Sequence, residues 1–533
     1  MALPQPDLSS PPAIRAPARI AAREWRWLAL VTGLLLLLTV PPLLIAAARV
    51  PPGSIFPGYV VIARDAYVYQ ALWHAGAAGD WLFSSHYTAE PLPAVLLYPW
   101  YLWSGHLLGG LPSAWLYHGA RVVAGAALGI SVYLLAAELY RPVILRRWAF
   151  ALASLGGGVG ILVPSIPAGP LKIQATEMLS PGSSVADLIA MAPHLPLAMA
   201  LMCTVLIAGL RMRRDPSWQL FVAGLAAVLG LQLIYPQLAL LAGLVLVLWA
   251  GGRRLRRGLA FGAASLLIQA PYDLYLLQVM RQQPLALAAV RSSLVVGDPL
   301  GFLVLSHLVA CFLIVVALIT RRLRGDLILP GIWILGMTAF MFTPGISSTL
   351  GRVFMASSIP FGLCAVPGLL SLARRLRTRA WQRRMTSATI AIAAFYGVFS
   401  LAQPFWIAAF RLDPRAEYEN RGEAVLLERL SPHVSFRDLV LTTYLEGLFT
   451  PAQTSARAYA GHPDMTIDAA RKATDALSFF KSWTPEHRDK FLHDTGIDFV
   501  LTTDPLSAAR LESDPLLRLV DREADASLFE VRR

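Results

Sequence analysis

The chain has 533 residues, of which 56% are hydrophobic and only 15% charged, and its mean hydropathy is +0.55; a soluble fold of this size could not bury that much apolar surface. Its formal charge of +13 sits in short Arg clusters between apolar segments, and no basic, aromatic-interleaved groove is readable, which excludes a nucleic-acid binder. Cys203, Cys311 and Cys364 all fall inside apolar segments, so neither a disulfide framework nor a thiolate metal site is indicated.

Residues 1–26 are rich in Pro and Ala and carry Arg15, Arg19, Arg23 and Arg26. The apolar run that follows lacks a small-residue cleavage site and reads as an uncleaved first span. About eleven segments approach the ~20 residues that cross a ~30 Å hydrocarbon core as a helix. They are 27–48, 114–139, 147–164, 193–210, 217–233, 236–250, 257–277, 300–320, 326–343, 349–372 and 385–408. Between them lie Arg141–Arg147, Arg211–Arg214, Arg253–Arg257, Arg321–Arg324 and Arg374–Arg384, which the positive-inside rule places in the cytoplasm with the N-terminus. Parity then puts 49–113, 165–192, 278–299 and 409–533 outside. The apolar segment 94–109 would break that parity as a span and is expected to be an interfacial or re-entrant helix. No strong internal repeat is visible.

Beyond residue 408 the composition becomes that of a soluble domain. Asp438–Tyr444 and Asp498–Thr503 are expected as short buried strands, Ile467–Lys481 and Pro485–Thr495 as helices. The expected fold class is an α-helical polytopic membrane protein with a small extracytoplasmic α/β domain. Its parts are a cytoplasmic N-terminus (1–26), a transmembrane domain (27–408) with a first outer loop at 49–113, and the α/β domain (409–533).

That first loop is the most informative stretch. It holds Asp65, Asp80 and Glu90 among a dense set of aromatics, with His74 and His86. Carboxylates beside a membrane are costly unless donors or cations hold them ionised. In order, the chain carries Asp65 and then Tyr69, GDW at Gly79–Trp81 and YTAEP at Tyr87–Pro91. APHLPLA follows at Ala192–Ala198, GRVFMASSIPFG at Gly351–Gly362 and RAYAGHPDMT at Arg457–Thr466. With many spans and an outer C-terminal domain, this layout resembles the GT-C membrane glycosyltransferases, and most nearly uncharacterised bacterial members. Each motif is short; their order carries the resemblance.

The resemblance implies a multi-pass protein of the bacterial inner membrane that moves a sugar from a polyprenyl-phosphate carrier to a glycan, lipid or protein acceptor on the outer side. A loop carboxylate near the first span would act as base, and Asp65 matches that position; a pair with Arg64 or a helix cap is its structural alternative. Glu90 is the second candidate, with a cap on the interfacial helix as its alternative. A phosphate donor needs outer cations, for which Arg352, Arg291, Lys172 and Arg281 are candidates; Arg352 lies just inside an apolar segment, where it could also snorkel. Tyr69, His86, Tyr87, Asp187 and His194 are candidate substrate contacts. Asp273 is an intramembrane acid of unassigned role. No cofactor is implied with certainty. A divalent metal held by His74, His86 and the loop carboxylates stays open, although the spacing matches no standard zinc motif. A transporter or flippase of a lipid-linked solute and a non-catalytic assembly protein are the competing readings. Charges concentrated at outer loops rather than along several spans favour the enzyme.

Overall fold

The computed structural model describes residues 20–109, 111, 113–158, 166–168, 171–173, 183–282, 299–341, 351–410 and 417–532. The principal helices in chain order are α1 (Ala22–Leu37), α2 (Pro41–Ala48), α3 (Ala63–Ala77), α4 (Pro99–Leu108), α5 (Ser113–Leu139) and α6 (Val143–Leu155). There follow α7 (His194–Arg214), α8 (Trp218–Ile234), α9 (Pro236–Gly252), α10 (Arg256–Gln282), α11 (Pro299–Ser306), α12 (Leu308–Ile319) and α13 (Ile328–Met341). The last are α14 (Ser358–Arg374), α15 (Arg379–Phe410), α16 (Arg421–Leu430), α17 (Ala469–Lys481), α18 (Pro485–Thr495) and α19 (Pro505–Glu512).

Each expected span meets a helix; among the described residues 147–164 meets α6, and 349–372 meets a 3-10 turn at Gly351–Phe354 followed by α14. Among the described residues, Ala22–Ala48, α5, α7 and α15 are long and apolar enough to cross a membrane; α8, α9, α12, α14 and Gly325–Phe340 are apolar but shorter. The breaks have local causes. Tyr235 leaves helical geometry at φ −150° and Pro236 opens α9, because a residue before Pro is pushed out of the α region and Pro suits a first helical position. Helix α4 spans ten residues, about 15 Å, too short to cross the core. It leaves Leu107 85% exposed while burying Tyr101 and Leu102.

The chain divides into two compact units. The first comprises 1–40, 119–277 and 292–403, and is a helical bundle with Phe150, Trp249, Phe261 and Trp333 in its core. Several of its charges are paired. Glu24 of α1 accepts from Arg146 of α6 at 2.9 Å and from the Tyr133 hydroxyl of α5 at 2.7 Å. Glu138, near the end of α5, meets Arg211 and Arg214 at the end of α7. Asp326 meets Arg213, Arg214 and Arg253. The helix ends that the Arg clusters place on one side therefore gather at one end of the bundle. Arg121 of α5 is also buried, and donates to Thr39 Oγ1 at 2.7 Å and to the Ile189 carbonyl at 2.8 Å.

The second unit comprises 41–118, 278–291 and 404–533. Its centre is a five-stranded sheet of β1 (Leu439–Leu441), β2 (Arg457–Ala458), β3 (Phe499–Thr502), β4 (Leu517–Glu523) and β5 (Ala526–Val531) in the order β2-β1-β3-β5-β4. β1 runs parallel to β2 and β3, whereas β5 is antiparallel to β3 and β4. The expected strands correspond to β1 and β3, whose apolar runs suit central strands covered on both faces. The expected helices are α17 and α18. Sequence periodicity missed β2, which has two residues, and the hairpin β4–β5, whose strand β4 is largely exposed.

Candidate active site in the first loop

The site is built where the first loop joins the C-terminal sheet. The Ala458 N–H donates to the His86 carbonyl at 2.7 Å, and Thr88 bridges Ala460 in antiparallel register. Residues 86–88 thus extend the sheet past β2, satisfying backbone groups that an edge would leave open. Side chains lock the addition. Ser85 Oγ donates to the Met465 carbonyl at 2.8 Å, Thr466 Oγ1 to the Tyr87 carbonyl at 2.6 Å, and the buried Tyr87 hydroxyl to the Leu448 carbonyl at 3.2 Å. Arg457 donates to the Ala89 carbonyl. The YTAEP and RAYAGHPDMT stretches, read separately in the sequence, form one structure.

Glu90 belongs to this junction. Its Oε2 lies 2.5 Å from Lys472 Nζ on α17 and accepts from the Thr88 hydroxyl, and Lys472 also donates to Thr88 Oγ1 at 3.0 Å. Partial burial raises the Glu90 pKa, but the Lys472 and Thr88 hydrogen bonds outweigh it and hold the carboxyl below its ordinary range. Glu90 does not cap the interfacial helix, since α4 starts at Pro99 after Tyr98. Lys472 was missed, yet it was findable: with Ala476, Phe479 and Phe480 it falls on the buried stripe of an amphipathic helix.

Asp65 sits in the first turn of α3. The entry is strained, because Ile62, a β-branched residue, precedes the helix at φ 49° and ψ 43° and no side chain caps it. Asp65 is therefore not a side-chain cap, and its described side-chain partner is His462 rather than Arg64. His462 Nε2 lies 3.0 Å from Asp65 Oδ1, with the imidazole side chain 5% exposed and the carboxyl 46% exposed. The His462 side of this contact was not legible in the sequence, where Gly461-His462 looks like an ordinary turn.

Three turns of α3 carry Asp65, Val68, Leu72 and Ala75 on one face. The last three, with Leu102, Asp80, His86 and Tyr87, line a narrow cleft with room for about one water molecule. Its far wall is α4, held close because Gly76 and Gly105 face backbone at the crossing. A Cβ on Gly76 would stand 2.0 Å from the Leu102 carbonyl oxygen. Trp73 Nε1 fixes the crossing through Ser104 Oγ at 2.8 Å. Burial raises the Asp80 carboxyl and pulls the His86 imidazole down to about 4, so His86 is neutral near pH 7. His86 Nδ1 is buried with no hydrogen bond among the described residues. Tyr69 lies elsewhere on α3, stacked on Tyr101 at 4.5 Å.

The other candidates are placed as follows. Asp187 and His194 are in the first unit: Asp187 is buried and accepts from the Tyr396 hydroxyl at 2.7 Å, and His194 starts α7, stacked on Tyr235. Arg281 is exposed in the last turn of α10. Arg291 lies outside the described residues, as do the side chains of Lys172, in a short hairpin strand Leu171–Ile173, and Arg352, in a turn at Gly351–Phe354. Asp273 accepts from Gln232 Nε2 at 2.7 Å. Among the described residues no three His, Cys, Asp or Glu side chains are grouped to hold a metal ion.

No known family profile and no curated protein matches the chain. Among solved structures, ArnT from Cupriavidus metallidurans bound to undecaprenyl phosphate is similar at 17% identity and a TM-score of 0.45, over 96% of this chain and 98% of that one. The apo state of the same ArnT gives 15% identity and a TM-score of 0.46 over 94% and 98%. Neither likeness is close enough to transfer a residue role or a substrate.

Proposed function

We propose that the chain is a membrane glycosyltransferase that takes a sugar from a polyprenyl-phosphate carrier and passes it to an acceptor on the outer side of the membrane, with Asp65 as the base. Asp65 would accept the proton of the acceptor hydroxyl or amine as that atom bonds to the anomeric carbon. The bond from that carbon to the phosphate oxygen breaks, and its electron pair leaves on polyprenyl phosphate. Cations at the outer face would meet the charge growing on the leaving group; Arg352, Arg291, Lys172 and Arg281 stay proposed for that role. Tyr87 and His86 would line the approach, and Tyr69, Asp187 and His194 stay proposed as substrate contacts. Glu90, committed to Lys472, is the weaker base.

The observation that carries the reading is Asp65 itself: a carboxyl half open to solvent, held on one oxygen by a buried imidazole, at the head of the helix face that walls the cleft. The order of loop and C-terminal motifs supplies the reaction class. Mass spectrometry of envelope glycans and lipid-linked sugars in a deletion strain tests it. One polyprenyl-phosphate sugar should accumulate while one glycan modification is lost. Complementation with Asp65→Asn, which keeps shape but removes the base, should leave the protein folded and lower transfer by a factor on the order of 10² or more. Full complementation by Asp65→Asn would refute the assignment, and an unchanged lipid-linked sugar pool in the deletion strain would refute the reaction class.

A further inference from the structure

The RAYAGH run leaves one residue that the proposed reaction has not used. His462 comes from the C-terminal domain, yet its ring ends on the first-loop carboxyl. We infer that His462 is a positioning residue for the transfer reaction, orienting Asp65 through a neutral imidazole N–H. This inference rests on the reading of Asp65 as the base.

The tautomer follows from the partners. The Asp464 backbone N–H donates to His462 Nδ1 at 3.2 Å, so Nδ1 supplies a lone pair. In a neutral imidazole the proton is then on Nε2, and Nε2–H donates to Asp65 Oδ1 at 3.0 Å. One carboxylate oxygen is thereby fixed and the other is left for the acceptor. A guanidinium in the same place would favour the charged carboxylate strongly and oppose proton uptake. A neutral donor orients the group at a smaller cost to its strength as a base.

The turn that carries His462 is built to hold it. The Gly461 N–H donates to Thr466 Oγ1 at 3.2 Å, and that hydroxyl donates to the Tyr87 carbonyl, tying the turn to the loop of the site. At Gly461 a Cβ would stand 2.5 Å from the Gly447 carbonyl oxygen and 2.9 Å from the Tyr87 ring, so the close approach requires glycine. The imidazole lies beside Tyr87, ring centroids 6.3 Å apart. A side chain so enclosed reaches the half-exposed carboxyl from its protein side.

Two substitutions divide the ring's two roles. His462→Asn keeps an acceptor near the Nδ1 position for the Asp464 N–H but has no atom at Nε2. His462→Gln places an amide N–H near Nε2 and can still donate to Asp65. Full-length parent, both variants and Asp65→Asn are assayed in nanodiscs with the lipid-linked sugar purified from the deletion strain. His462→Asn should lower kcat about 10- to 100-fold, the penalty of a misplaced reacting group, with KM for the donor within about twofold. His462→Gln should recover to within about threefold of the parent. In an Asp65→Asn background, His462→Asn should add no further loss. Asn and Gln variants with equal rates would overturn the inference, as would loss of fold in both, which makes His462 structural. Normal transfer by His462→Asn with a disabled Asp65→Asn would remove His462 and leave the base. Normal transfer by Asp65→Asn would remove the base itself.

Discussion

Both units pair buried charge, the bundle through Glu24 and Glu138 and the second unit through Arg488 and Asp514, but the second unit also buries two acids outside any described salt bridge. In the helical bundle Glu24, Glu138 and Asp326 each meet one or more guanidinium groups, and these pairs join the ends of helices distant in the chain. In the second unit Glu419 and Glu423 are each 1% exposed and neither forms a described salt bridge. Glu419 accepts from Gln453, and Glu423 Oε1 has no hydrogen bond among the described residues. Burial raises the Glu419 carboxyl to about 7 against the Gln453 hydrogen bond, and burial beside Glu446 and Glu419 raises Glu423 well above the carboxylate range. The paired charges register the bundle, and the two lone buried acids respond to pH.

The largest effect should come from breaking a bundle pair. Arg146→Ala leaves the buried Glu24 with the Tyr133 hydroxyl but without its cation, and should cost about 3–5 kcal/mol, read as lost thermal stability in mild detergent. Replacing both residues by apolar ones of similar size should recover most of it. A mild Arg146→Ala would mean that the pair is not what registers α1 against α6.

The second unit should show the pH response. Glu419 in the fold holds its proton to higher pH than in the unfolded chain. Stability from this group is therefore complete below about pH 4.5, falls as pH rises toward 7 and levels off above it, a loss on the order of 3 kcal/mol. Thermal unfolding followed between pH 5 and 8 should show that slope, and Glu419→Gln should flatten it. A slope unchanged in Glu419→Gln would assign it to Glu423 or elsewhere.

A smaller effect is expected at the junction. Lys472→Met fits the buried stripe but removes the ammonium from Thr88 and the partly exposed Glu90. It should cost about 1–3 kcal/mol and raise hydrogen exchange in residues 85–90 more than in β3. Smallest of all, Arg471→Ala removes an exposed pair with Asp475 one turn away, and should shift stability by no more than about 0.5 kcal/mol.

What could be read in advance follows the range of the forces. The helices were legible because length and apolarity are local, and β1 and β3 because their runs are continuous. Asp65 and Tyr87 could be singled out because the motifs that hold them resemble those of the GT-C glycosyltransferases, in a first loop already marked by its carboxylates and aromatics. The Asp65–His462 contact joins residues 397 apart, and no periodicity encodes that. Arg121 was overlooked inside an apolar segment, although a charge there is a reason to look for polar partners; the Thr39 hydroxyl and the Ile189 carbonyl supply them.

The sheet extension by residues 86–88 also sets an order of events during biosynthesis. Tyr87 leaves the ribosome long before Thr466, 379 residues later, and at 5–20 residues per second the delay is roughly 20 to 75 s. Throughout that interval the aromatic loop has no sheet to join. Asp65 is made early but remains unassembled until the last quarter of the chain arrives, so a truncated product that inserts normally carries an incomplete site.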